Sequence, residues 1–227
     1  MKRYEKKRLL ADKRIDELLA TDQGRTEYWE RLHVRGRDES MIGLLESTLH
    51  LPGDIVECGV YRGESVQWIA RSVSDRGSEK TIFACDSFEG FPEEEVGRID
   101  LASLRFLFRV RKKFRMCGDT PARLERFFDV FNVRGEIVKG YFSETLPRLA
   151  DTRFCFIHLD CDIYSSYKDC LRLLYDNLVP GGVVVFDDYR APKWPGAEIA
   201  VEEFFATRPE VVEQSSDRPT PSWYVRK

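Results

Sequence analysis

Two acidic pairs are the residues of this chain best suited to chemistry. In FIHLDCDIYSSY, residues 156–167, Asp160 and Asp162 follow an apolar run, and in GGVVVFDDY Asp187 and Asp188 follow another. Buried strands seldom end in clustered carboxylates, because desolvating like charges side by side is costly. Four such groups at two strand ends form a hard oxygen site, and Mg2+ prefers carboxylates and waters to nitrogen or sulfur. A purely local reading is that Asp187 or Asp188 caps a turn and Asp162 starts a helix. His158 lies two residues before Asp160, so in a strand both side chains share a face. It is read either as a hydrogen-bonded core residue or as a partner that orients the carboxylate.

A second group of residues points to a nucleoside. GDIVECGVYRGES places Gly59 and Gly63 between a strand and a helix. Gly59 permits a tight turn, and Gly63 would let the helix start close to a ligand. The spacing is not GxGxxG, and Glu57 beside the turn disfavours phosphate and suits an ammonium group. Asp86 closes the next strand, where a carboxylate can accept both hydroxyls of a ribose. Ribose hydroxyls and an ammonium without phosphate describe S-adenosylmethionine.

The elements that must position these groups follow from periodicity. From residue 54 onward, DIVECG, KTIFACD, GEIVKGY, RFCFIHLD and GGVVVFDD are short apolar runs that predict strands, separated by helical patterns. Tyr167, Cys170, Leu171, Leu174, Tyr175 and Leu178 recur at helical spacing and predict a helix closed by Pro180-Gly181-Gly182. Ala197, Ala200, Val201, Phe204 and Phe205 form another stripe after Pro195-Gly196. Near-continuous apolar strands imply a parallel sheet buried on both faces. The alternation predicts an α/β fold, a doubly wound, mostly parallel sheet. EVVEQ and SWYVRK predict two last strands, one of them antiparallel. Ligands of such sheets sit beyond the carboxyl ends of the strands, where Glu57, Gly59, Asp86, Gly140, Asp160 and Asp187 all fall.

The motifs ECGVYRG, DSFEGFP, GYFSETLP, HLDCDIYSS and FDDY, in this order, resemble the macrocin O-methyltransferase (TylF-type) family. The likeness covers roughly residues 39 to 190, and the ending WYVRK is similar to that family's last strand. The resemblance implies a Rossmann-like class I methyltransferase that uses S-adenosylmethionine and Mg2+ to methylate hydroxyls of sugars on natural products. It implies metal binding by Asp160, Asp187 and Asp188, and a general-base role for Asp162, with His158 beside it. The cofactor-binding residues expected along these motifs are Glu57, Gly59, Tyr61, Ser65, Asp86, Ser87, Gly140 and Phe142. The acceptor is then a small molecule with a hydroxyl, a sugar moiety foremost. The nearest rival is a catechol-type O-methyltransferase acting on an aromatic diol.

Domain expectations are an N-terminal helical extension over 1–50 and a methyltransferase domain over 51–227, with a helical, lid-like insertion at about 92–132. Leu9, Leu10, Ile15, Leu18 and Leu19 predict one face of a first helix, and Met41, Leu44, Leu45 and Leu49 one face of another. The extension either packs on the core or makes a homo-oligomer contact. Residues 105–115 interleave Arg105, Arg109, Arg111, Lys112, Lys113 and Arg115 with Phe106, Phe108 and Phe114. That pattern suits a solvated amphipathic helix, an acceptor-pocket cover or a nucleic-acid contact. Against nucleic acid stand the net charge of −3 and LDCD in place of an Asn/Asp-Pro-Pro-Tyr loop.

The 227 residues suffice for one α/β domain, and 42% hydrophobic with 33% charged residues is ordinary for a globular protein. No apolar run approaches the ~20 residues needed to span a bilayer, and the basic N-terminus lacks a signal-peptide core. The six cysteines form no CxxC pair, which argues against zinc and suits a reduced, cytoplasmic protein.

Overall fold

The computed structural model describes residues 15, 17–32, 39–91, 100, 120–215 and 221–227. Seven strands form one sheet: β1 Asp54–Cys58, β2 Ile82–Asp86, β3 Gly135–Lys139, β4 Phe154–Leu159, β5 Leu178–Phe186, β6 Glu213–Gln214 and β7 Trp223–Arg226. Their order is β3-β2-β1-β4-β5-β7-β6. The first five strands run parallel, whereas β7 is antiparallel to both β5 and β6. The helices are α1 Asp22–Leu32, α2 Glu39–Thr48, α3 Glu64–Asp75, α4 Thr120–Phe131, α5 Phe142–Thr145, α6 Tyr164–Leu174 and α7 Pro195–Phe205.

Side chains alternate between two apolar layers. On one face, Val56, Cys58, Leu159 and Phe186 pack with Tyr167, Cys170 and Leu174 of α6 and Ala197, Val201 and Phe205 of α7. On the other, Ile55, Ala84, Phe156 and Val185 pack with α2, α3 and α4 through Leu45, Val66, Ile69 and Phe127. The central strands β1 and β4 are buried on both faces, as their apolar runs predict. Strand β3 departs from this: it is a sheet edge, and only Val138 of its five residues is buried.

The helix before β5 ends earlier than its stripe predicts. α6 stops at Leu174, a 3-10 turn covers Tyr175–Asn177, and Leu178 already opens β5. Pro180-Gly181-Gly182 does not stop a helix here. Pairing to β4 steps from Phe154↔Leu178 to Phe156↔Val183, so these residues bulge out of the ladder, where a proline without an N–H is tolerated.

The N-terminal segment packs on the core. Trp29 stacks on Phe131 of α4 with ring centroids 4.2 Å apart, the Arg71 guanidinium of α3 lies over the Trp29 ring at 4.6 Å from its centroid, and Leu19 is buried. Leu9, Leu10 and the basic stretch 105–115 lie outside the described residues. Among the described residues no helix is long and apolar enough to cross a membrane.

Candidate active site

The sheet order reverses between β1 and β4, and the ladder continues one residue past each strand along the carboxyl rim. Gly59 N donates to Cys85 O, Asp160 N to Cys58 O, and Asp187 N to Leu159 O, each at 2.9 Å, and Gly140 N donates to Asp86 O at 3.0 Å. Parallel pairing therefore aligns the ends of β3, β2, β1, β4 and β5 along one rim, with the loops after β1 and β4 flanking the topological switch point, where open α/β sheets bind ligands. Gly59, at φ 94°, is essential to this junction, since a Cβ would overlap the carbonyl of Asp160. Gly63, at φ 76°, also makes room for helix packing: a Cβ there would run into the side chain of Leu124 on α4.

On the cofactor side, Glu57 is fully buried. Its Oε1 accepts from Ser65 Oγ and lies 3.1 Å from His158 Nδ1, while Oε2 has no hydrogen-bond partner among the described residues. A buried carboxylate oxygen left bare is costly, and an ammonium group would satisfy it. Asp86 holds the glycine loop: Oδ2 accepts from the Val60 and Tyr61 amides, both at 2.8 Å, and Oδ1 accepts from Phe88 N at 2.6 Å. A carboxylate has about four acceptor positions, so roughly one is left over. Ser87 Oγ donates to Gly90 O and so shapes the turn after β2. Gly140 leads from β3 towards α5, which Phe142 opens.

On the acidic side, Asp160, Asp187 and Asp188 each offer one carboxylate oxygen within 4.8 Å of the others. Asp187 is exposed, Asp160 half-buried and Asp188 buried. Asp162 occupies a left-handed conformation, φ 61°, and its amide donates to Asp188 Oδ2 at 2.9 Å. Burial and then repulsion from Asp187 and Asp188 push Asp160 well above the carboxylate range. Asp162 is raised by burial and by Asp188, and Asp188 is pushed up to about 7 by burial and Asp187. Three close carboxyls that repel one another in this way fit a divalent cation. Hard oxygen donors of this kind are Mg2+ ligands.

A cavity of about 390 Å³ joins the two sides. Tyr61, Ser65, His158, Asp160 and Asp187 line it, together with Met41, Arg62 and Trp68, which were not among the expected site residues. Asp86, Ser87, Gly140, Phe142 and Asp162 are not among its lining residues. Met41 of α2 is also a buried member of the apolar layer, and Trp68 of α3 packs against that layer; periodicity marks such positions as core without showing that they also border a cavity.

The raised acidic group has a consequence for stability. In the native state Asp188 holds its proton up to about pH 7, whereas an ordinary carboxyl near 3.8 has released it. The folded state then binds more protons than the unfolded one between these limits. Without metal, stability should fall as pH rises across this window, by at most ~1.4 kcal/mol per pH unit for one such group. Thermal melts in EDTA should show a declining midpoint through this window, and saturating Mg2+ should remove most of the decline. A midpoint that climbs with pH in EDTA would contradict the assignment.

A seven-stranded sheet of five parallel strands followed by the reversed β7 and the short edge strand β6, with a glycine loop and acidic rim at its switch point, defines a Rossmann-like methyltransferase. Sequence comparison takes this further. The model of the macrocin-O-methyltransferase (TylF) family matches residues 44–214. The demethyldecarbamoylnovobiocin O-methyltransferase of Streptomyces niveus is 30% identical over 200 residues, covering 79% of this chain and 74% of that one. The 8-demethyl-8-(2,3-dimethoxy-alpha-L-rhamnosyl)-tetracenomycin-C 4'-O-methyltransferase of Streptomyces olivaceus is 34% identical over 143 residues, covering 61% of this chain and 54% of that one. The chain thus spans little more than half the length of the second relative. Among solved structures, the calicheamicin methyltransferase CalS11 superposes with a TM-score of 0.70 at 28% identity, covering 94% of this chain and 90% of that one. The O-methyltransferase NovP gives 0.68 at 26%, covering 83% and 78%. The chain belongs to the macrocin-O-methyltransferase (TylF) family and is an S-adenosylmethionine-dependent O-methyltransferase.

Proposed function

We propose that the chain methylates a hydroxyl of a sugar carried on a small-molecule natural product, with Mg2+ held by Asp160, Asp187 and Asp188. The observation that carries this reading is an acidic trio of which Asp160 and Asp187 open onto the same cavity as Tyr61 and Ser65 of the cofactor side. The sugar acceptor is supported by relatives whose names specify a rhamnosyl tetracenomycin and, for CalS11, TDP-rhamnose.

Glu57 receives the cofactor's ammonium at its bare oxygen, and Asp86 offers its remaining acceptor position to the ribose. Gly59, Tyr61, Ser65, Ser87, Gly140 and Phe142 complete the binding set along the rim. When bound, the ion lowers the pKa of a coordinated hydroxyl and fixes its position. The cavity walls hold that oxygen in line with the sulfonium methyl, which is where most of the rate gain of a positioned bimolecular step arises. Asp162 takes the hydroxyl proton. His158, held through Nδ1 by Glu57, orients Asp160 from the same face of β4.

The test pairs binding with acceptor choice. S-adenosylhomocysteine should bind, and Asp86→Ala should weaken it by ~1.5–3 kcal/mol, the scale for hydrogen bonds to a charged group. Methyl transfer should be found with rhamnosylated aglycones and not with a simple catechol. Transfer to the diol alone would replace the sugar reading, and preference for a dinucleotide would sink it.

A further inference from the structure

We propose that Tyr167 is a positioning residue that confines Asp188 to one free oxygen, and that this confinement favours Mg2+ over Ca2+ at the acidic trio. The inference rests on the metal reading above. Tyr167 belongs to the apolar stripe of α6 and is fully buried. Phenylalanine would serve that stripe as well, and a buried hydroxyl is costly unless bonded.

Here the hydroxyl is bonded throughout. Tyr167 Oη lies 2.9 Å from Leu159 O and 3.2 Å from Asp188 Oδ2, two acceptors that share its single proton, and it accepts from Asp188 N at 3.2 Å. Leu159 O is also the acceptor for Asp187 N, and Asp188 Oδ2 takes the Asp162 amide as well. One phenol therefore ties the carbonyl preceding Asp160 to the residue following Asp187. It leaves Asp188 Oδ1 as the oxygen that can turn to a cation.

A carboxylate held by one oxygen cannot chelate in the bidentate manner that larger ions exploit. Ca2+ takes six to eight oxygens in flexible geometry, often with bidentate carboxylates, whereas Mg2+ demands a compact octahedron and keeps several waters. A trio with Asp188 so restrained suits the smaller ion. Loss of the phenol would leave Oδ2 restrained by the Asp162 amide without the phenol's support, and loosen the trio.

The experiment measures Mn2+ uptake by electron paramagnetic resonance on the full chain, with Mg2+ and Ca2+ as competitors. Wild type and Tyr167→Phe are compared, with S-adenosylhomocysteine affinity measured in parallel as a control for folding. Tyr167→Phe should bind Mn2+ and Mg2+ ~10–100-fold more weakly, the scale for losing an outer partner of a metal ligand. Its cofactor affinity should be unchanged and its preference for Mg2+ over Ca2+ narrower. Unaltered metal binding by a folded variant would overturn the role of Tyr167 alone. Ca2+ that displaces Mn2+ from wild type as readily as Mg2+ does would overturn the inference even if the variant does not fold. A wild-type protein that takes up no Mn2+ would overturn the metal reading and this inference with it.

Discussion

Chelation by EDTA should abolish methyl transfer, and Mg2+ should restore it. In the same assay Asp187→Asn should lose ~10²–10⁴-fold in turnover, the rate equivalent of the several kcal/mol that a bound metal contributes to a polarised oxygen. Its affinity for S-adenosylhomocysteine should change little. The asymmetry follows from where Asp187 sits. It is the exposed member of the trio, at the tip of β5, while the cofactor loop is braced by Asp86 and Glu57 on β2 and β1. Full activity in excess chelator, with no metal retained on the protein, would remove the ion from the reaction.

The second large effect concerns the proton. A sugar hydroxyl ionises far above neutrality, so a positioned base should contribute ~10²–10⁴-fold. Asp162→Asn is expected to lose that much in single-turnover rate while keeping cofactor and metal. Its backbone amide, not its carboxyl, makes the bond to Asp188, so the substitution leaves that tie in place. His158→Asn should act through stability and metal affinity, because its Nδ1 is engaged by buried Glu57. His158 borders the cavity and Asp162 does not line it, which makes the comparison decisive. A dead His158→Asn that still binds metal, beside an active Asp162→Asn, would move the base to His158.

The strands at the centre of the sheet were legible because burial on both faces forces continuous apolar runs, as in DIVEC and FCFIHL. Their order was legible as a fold class, and the rim residues followed from it. What periodicity cannot carry is chemistry hidden in a stripe or contact between distant segments. Tyr167 counts as one more core aromatic until its hydroxyl is seen against Asp188. Gly63 makes room for Leu124, far along the chain, a contact that its local motif does not show. Leu178 fits the helical stripe, yet its partner is Phe154 on β4, and no local pattern announces a strand that begins before a Pro-Gly-Gly bulge.

The close approach of Gly59 to the Asp160 carbonyl bears on how acceptor preference could be exchanged between family members. Recombination that replaces everything between the glycine loop and β4 is attractive, because it would import the expected insertion at about 92–132 wholesale. Its two junctions would fall on either side of a contact that has no room for a methyl group. Chimeras should therefore stay productive when both parents carry glycine at the position of Gly59 and when the segments flanking it and Asp160 come from a single parent. Mixed pairs would inherit an intact cofactor loop and an intact acidic loop that no longer meet.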